Sequence, residues 1–244
     1  MRLDQALLAR GLVATRAIAQ RLVSEGAACV NGQVVRRAAT PVTEDDTLEL
    51  LHETQFVSRG GDKLEGALAA WGVPVEGKVC LDIGAGTGGF ADCLLQRGAA
   101  KVYALDVGHG QLHPRLHDET RIVSREGVNC RSLTPEEVGE VADFAAVDVS
   151  FISLTLVLPS VAECVVAEGN IIALVKPQFE CGPKAAEEGR GVIRDPQLHH
   201  AALDRIRKAA RELSLQWRAE MPSPILGGDG NREFLVWLSK NAAQ

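Results

Sequence analysis

The 244-residue sequence has no uninterrupted apolar run long enough to span a bilayer. Its first residues, MRLDQALLARG, are broken by Arg2, Asp4 and Arg10, which excludes a secretory leader there. Six cysteines (29, 80, 93, 130, 164 and 181) form no C-x-x-C pair and no His/Cys spacing that suits zinc. In a chain without a leader they are expected to be reduced thiols, mostly in the core, with no metal bound. There is no internal repeat, and "KAAEEGRG" reads as a polar loop. The expectation is a cytoplasmic, non-membrane chain; at 46% hydrophobic and 24% charged it has enough to bury an ordinary core. A monomer is expected.

An overall excess of positive charge is also missing: the net charge is −6. The average conceals an asymmetry. Residues 1–40 hold six arginines (2, 10, 16, 21, 36, 37) against Asp4 and Glu25, a local +4 that leaves −10 elsewhere. A small basic module on an acidic body points to a polyanionic partner.

Leu3–Arg10 has a helical pattern stopped by Gly11, and Thr15 is placed to cap a second helix through Glu25, stopped by Gly26. "ACVNGQVV" then sets Asn-Gly between β-prone pairs, a hairpin signal, and "TPVTEDDTLELL" reads as a turn and strand. The stretches "RLDQALLARGL", "TRAIAQRLVSEGAACVNGQVV" and "VTEDDTLEL" resemble the αL RNA-binding motif, known from a small-subunit ribosomal protein and from pseudouridine synthases. The resemblance implies an RNA-facing surface on residues 1–53 that includes Arg2, Thr15, Arg16, Arg21, Asn31 and Arg36.

Residues 54–58 read as a linker into a second domain, 59–244. There a helix from Ser58 to Trp71 and a strand at Val79–Ile83 open an alternation of strands and helices. The stretch "LVLPSVAECVVAEG" reads as one helix interrupted by Pro159, and "LQWRAEM" with "EFLVWLSK" as a hairpin at one sheet edge. Such alternation predicts a parallel, doubly wound sheet.

After the first strand, "VCLDIGAGTGGF" sets four glycines at 84, 86, 88 and 89. The pattern alone fits any nucleotide cofactor. Asp82, two residues before the first glycine, would repel a pyrophosphate but neutralise an amine, and Asp106 closes the next strand where ribose hydroxyls are held. S-adenosylmethionine is cationic and has no phosphate, so it suits this loop better than NAD. The cofactor set is Asp82, Gly84, Gly86, Gly88, Gly89, Phe90, Asp106, Asn129 and Asp148. The fold class is then α/β, a Rossmann-like class I methyltransferase domain. Its mostly parallel seven-stranded sheet has an antiparallel edge strand, and a small α+β RNA-binding domain precedes it.

Asp148 and Lys176 end consecutive strands, Glu233 begins the last one, and Lys63 lies on the helix before the first. Two lysines and two acids would converge beside the cofactor, or form no more than a surface ion-pair cluster. "SRGGDKLEGAL", "LDIGAGTGGF", "DVSFISL", "LVKPQFE" and "GNREFLVWL" together resemble the TlyA family, rRNA 2'-O-methyltransferases sometimes labelled haemolysins, with an FtsJ-like catalytic domain. The resemblance implies that Lys63, Asp148, Lys176 and Glu233 are the catalytic tetrad. It further implies a cytidine ribose as acceptor and a linker near Thr54–Val57 that influences cofactor binding. The short N-terminus, and an end ten residues after Phe234, resemble the subtype acting on large-subunit rRNA alone. "DVSF" is not the Asn/Asp-Pro-Pro-aromatic loop of amine methylation, and no Pro-Cys pair offers a thiolate for C5 methylation. Methylation of another RNA such as tRNA, or a non-catalytic rRNA-binding or assembly role, are the alternatives. A membrane-active haemolysin would need an apolar segment with no other task.

Overall fold

A computed structural model describes all residues except 14, 51–54, 183, 184, 186, 188 and 242–244. Residue 54 of the expected linker, and 184, 186 and 188 of the expected polar loop, therefore lie outside the described residues. The chain divides into two compact units, Met1–Gln55 and Phe56–Gln244.

In the first unit, α1 (Leu3–Ala9) and α2 (Arg16–Glu25) share a core with a small antiparallel sheet of order β2-β1-β3. The strands are β1 (Ala28–Val30), β2 (Gln33–Val34) and β3 (Leu48–Leu50). Thr15 caps α2 by accepting the Ile18 N–H at 3.2 Å, and Gly26 ends it in left-handed backbone. Asn31 and Gly32 turn the hairpin with φ of 52° and 76°, a primed turn that Asn-Gly tolerates.

The second unit runs α3 (Arg59–Trp71), β4 (Val79–Ile83), α4 (Gly89–Gln96), β5 (Lys101–Asp106), β6 (Ile122–Glu126), α5 (Pro135–Val138) and β7 (Ala142–Val147). It continues α6 (Leu158–Glu163), β8 (Val165–Val175), α7 (Pro177–Glu180), α8 (Pro196–Glu212), β9 (Leu215–Pro222) and β10 (Phe234–Lys240). The seven strands are ordered β6-β5-β4-β7-β8-β10-β9. The first five pair in parallel, whereas β10 is antiparallel to both neighbours. The antiparallel edge is thus the expected hairpin, with the reversed strand second from the rim. Cys80, Val102, Phe144 and Ile172 point into the core under α3 and α4, and their neighbours Leu81, Ala145 and Ile171 into the core under α6 and α8. Central strands apolar on both faces are what a helix-covered parallel sheet requires.

One segment departs from expectation. The helix α6 stops at Glu163, and Val165 already pairs with Ala142 in the sheet. Pro159 does not interrupt a helix but lies in the first turn of α6, where its missing N–H has no intrahelical partner to lose. The β-branched pair Val165–Val166 belongs to β8 instead.

Candidate active site

The strand order reverses between β4 and β7, so the loops following those strands part at their carboxyl ends. There a cleft of about 630 Å³ opens, lined by the glycine loop on one side and by Asp148, Ser150, Phe151 and Lys176 on the other.

The glycines are bare for different reasons. A Cβ on Gly84 would lie 2.4 Å from the Asp148 carbonyl oxygen, and one on Gly89 would lie 2.2 Å from Ser58 Oγ, so both serve close packing of the chain on itself. One on Gly88 would strike Leu112 and Leu116, and Gly88 is not among the cleft-lining residues. Gly86 is different. It lines the cleft, its nearest neighbour would be 4.0 Å away, and its φ is 50°. The space in front of it is room for a ligand. Of the other expected cofactor residues, Asp82, Gly84, Gly89, Phe90, Asp106, Asn129 and Asp148 also line the cleft.

Asp82, at the end of β4, is fully buried and accepts the Ala91 N–H of the first turn of α4 at 2.8 Å through Oδ2. Its other oxygen has no hydrogen-bond partner among the described residues. Burial pushes the carboxyl up to about 8, helped by the charges of Asp148 and Asp106 and opposed by the Ala91 N–H. A bound cation beside this oxygen would favour the charged form that burial opposes. Asp106 is fixed by the Gly86 and Gly108 N–H groups, each at 2.7 Å.

Register sets the charged groups on one edge. Val147 pairs with Ala173 and Val175 with Phe234, so Asp148, Lys176 and Glu233 all emerge at the carboxyl end of the parallel strands. The four charges sort into two pairs. Lys63 Nζ donates to Glu233 Oε2 at 2.6 Å, with both side chains buried. Lys176 Nζ lies 2.6 Å from Asp148 Oδ1 in an ion pair without hydrogen-bond alignment, and instead donates to Ser150 Oγ at 2.8 Å. Lys63 and Lys176 line the cleft; Glu233 stands behind Lys63.

Ser150 and Phe151 escape the sequence reading. Phe151 is 92% exposed, has a left-handed φ of 62°, and its ring lies 5.2 Å from that of Phe179. A non-glycine residue in that conformation is sterically unusual, and large aromatic rings are seldom so exposed. The motif "DVSF" contains it, but only the fold shows the ring at the rim of the cleft.

In the first unit the expected RNA residues divide. Thr15 is occupied by the α2 cap, and Asn31 donates to Asp46 Oδ1 and accepts the Thr47 N–H. Arg2 and Arg16 both reach Asp4, while Arg36 is exposed and lies beside Gly26.

Comparison with known proteins agrees with this geometry. Residues 56–240 match the FtsJ-like methyltransferase model and residues 1–48 the S4 domain. The 16S/23S rRNA (cytidine-2'-O)-methyltransferase TlyA of Mycobacterium tuberculosis is 41% identical over 97% of this chain and 89% of its own. Hemolysin A of Brachyspira hyodysenteriae is 39% identical over 97% of this chain and 98% of its own. A solved structure from Streptococcus thermophilus, also named as a hemolysin, superposes on 99% of this chain and 88% of its own with TM-score 0.79 and 40% identity. The chain belongs to the FtsJ-like methyltransferases, in the TlyA group that carries an N-terminal S4 domain.

Proposed function

We propose that this chain transfers a methyl group from S-adenosylmethionine to the 2'-hydroxyl of a cytidine ribose in large-subunit ribosomal RNA. The observation that carries the reading is the pair of lysine–carboxylate contacts at the edge of a cleft that also holds the half-partnered, buried Asp82. S-adenosylmethionine supplies an electrophilic methyl on a sulfonium and presents an ammonium that suits Asp82, with the open space at Gly86 and the carboxylate of Asp106 completing the fit. Two relatives support the acceptor: the M. tuberculosis protein is named for 16S/23S rRNA and a Campylobacter jejuni relative, 37% identical over 82% of this chain, for 23S rRNA. A ribosomal substrate places the activity in the cytoplasm.

The chemistry follows from the tetrad. A ribose hydroxyl is a poor nucleophile, so its proton must leave as the new O–C bond forms. Lys176 Nζ takes that proton when neutral, and Asp148 with Ser150 fixes its direction. Glu233 holds the Lys63 ammonium at the cleft wall, where it steadies the charge gathering on the acceptor oxygen. The exposed Phe151 ring offers a stacking face for the base of a splayed-out nucleotide.

The test is incubation of the protein with methyl-labelled cofactor and purified ribosomal subunits or tRNA, followed by alkaline hydrolysis. Label in alkali-resistant dinucleotides from large-subunit RNA is expected, because a methylated 2'-oxygen cannot attack the adjacent phosphate. Label released in mononucleotides, confined to tRNA, or absent would overturn the reading.

A further inference from the structure

We propose that Asp4 is a positioning residue that locks Arg2 and Arg16 into a two-guanidinium clamp for neighbouring RNA phosphates; this rests on reading the first unit as the rRNA-binding module. Asp4 is the fully buried carboxylate of the first turn of α1. Both of its oxygens are saturated. Oδ1 accepts Arg2 Nε at 2.9 Å and the Gln5 N–H at 3.1 Å. Oδ2 accepts Arg2 Nη2 at 3.1 Å, Arg16 Nε at 2.9 Å and Gln20 Nε2 at 2.8 Å. The Arg2 guanidinium holds the carboxyl far below the usual range, so it stays charged.

The arginines are anchored from one side only. Their side chains remain 43% and 48% exposed, and each spends its Nε–H on Asp4. Neither Nη of Arg16, nor Nη1 of Arg2, has another hydrogen bond or ion pair among the described residues. Donor edges held rigidly toward solvent are what paired phosphate oxygens require. One carboxylate against two guanidiniums leaves the cluster with a net positive charge. Arg2 precedes α1 and Arg16 begins α2, so Asp4 ties together two helix starts that could otherwise let the guanidiniums wander. Had the residue only neutralised charge, a surface salt bridge to one arginine would have served.

The clamp makes a prediction of sign. Asp4→Asn removes one negative charge from the RNA-binding face, so simple electrostatics has it bind RNA more tightly. Positioning has it bind more weakly, by about tenfold, the scale for freeing two long side chains that binding must then order. Affinity of the full chain for transcribed large-subunit rRNA is measured over a salt series, with hydrogen exchange of α1 and α2 as the folding readout. Arg2→Lys/Arg16→Lys keeps the charge and a cation beside Asp4 but removes the fork, and about tenfold weakening is expected there as well. Arg2→Gln/Arg16→Gln should flatten the salt dependence by roughly two phosphates' worth. Unchanged or tighter binding by a folded Asp4→Asn overturns the positioning role, while loss in the double Gln variant keeps the RNA reading. Should Asp4→Asn lose exchange protection, the double Lys variant decides: wild-type affinity there overturns the clamp. Wild-type affinity and salt slope in the double Gln variant would sink the RNA reading of this surface.

Discussion

At Asp82 stability and binding pull in opposite directions. Its carboxyl is pushed from the ordinary 3.8 up to about 8 by burial. An acid whose folded-state value is raised favours the folded state at low pH and costs stability as pH rises from about 4 toward about 8. Without cofactor, wild-type protein should therefore lose thermal stability between pH 5 and 8 on this group's account. Asp82→Asn should flatten that slope and melt higher at pH 8, by at least ~2 °C, the shift that about 1 kcal/mol produces in a domain of this size. The same variant should lose most of the Tm increase that S-adenosylmethionine gives the wild type, since only ligand bound to the native state stabilises it. A variant that is both less stable at pH 8 and fully cofactor-responsive would remove Asp82 from the cation seat. Gly86→Val is expected to abolish the cofactor shift too, because its side chain enters open cleft space from a backbone with φ 50°.

At the level of elements, the proposed tetrad depends on the β9–β10 loop, which carries Glu233 at its end. A Cβ on Gly227, between β9 and β10, would sit 2.5 Å from Glu233 Oε1. Glu233 is buried and bonded to Lys63, so it has little room to yield. Gly227→Ala should lower single-turnover methylation by roughly 10–100-fold, the cost of misplacing a catalytic group by about 1 Å, and leave the cofactor-induced Tm shift intact. An unchanged rate would mean that the Lys63–Glu233 contact does not matter to turnover. Much of this layer is legible in sequence. Asp148, Lys176 and Glu233 follow or precede apolar runs that can only be strands, and strand ends locate a sheet edge. Which lysine takes which acid is not legible, because Lys63 and Glu233 are 170 positions apart and meet only when α3 packs on β10's sheet. Val165–Val166 misleads for a local reason: periodicity cannot tell a buried strand from a buried helix in a short apolar run. The Thr134–Glu137 capping box of α5 was a readable signal that strand–helix alternation passes over.

For the whole molecule, two units with separate cores divide the work. The charge asymmetry read from residues 1–40 and the glycine loop read at 84–89 fall in different units, so each can be tested without the other. Removing residues 1–55 should leave a domain whose Tm still rises with S-adenosylmethionine but which no longer captures rRNA. A truncated chain that methylates with unchanged KM would show that docking lies elsewhere. The hemolysin names of two relatives find no support in the helices: among the described residues none is long and apolar enough to cross a membrane.

The most direct measurement is the single-turnover methylation rate of Lys176→Arg, with enzyme in excess over ribosomal substrate. Arginine keeps the charge and pairs well with Asp148, but with a pKa above about 12 it has no neutral form to accept a proton. Lys176→Arg and Lys176→Ala are both expected to lose roughly 100-fold or more, the scale of general-base removal, while retaining cofactor and RNA binding. A near-wild-type rate for Lys176→Arg would contradict proton transfer to Lys176 and reduce the residue to an electrostatic anchor.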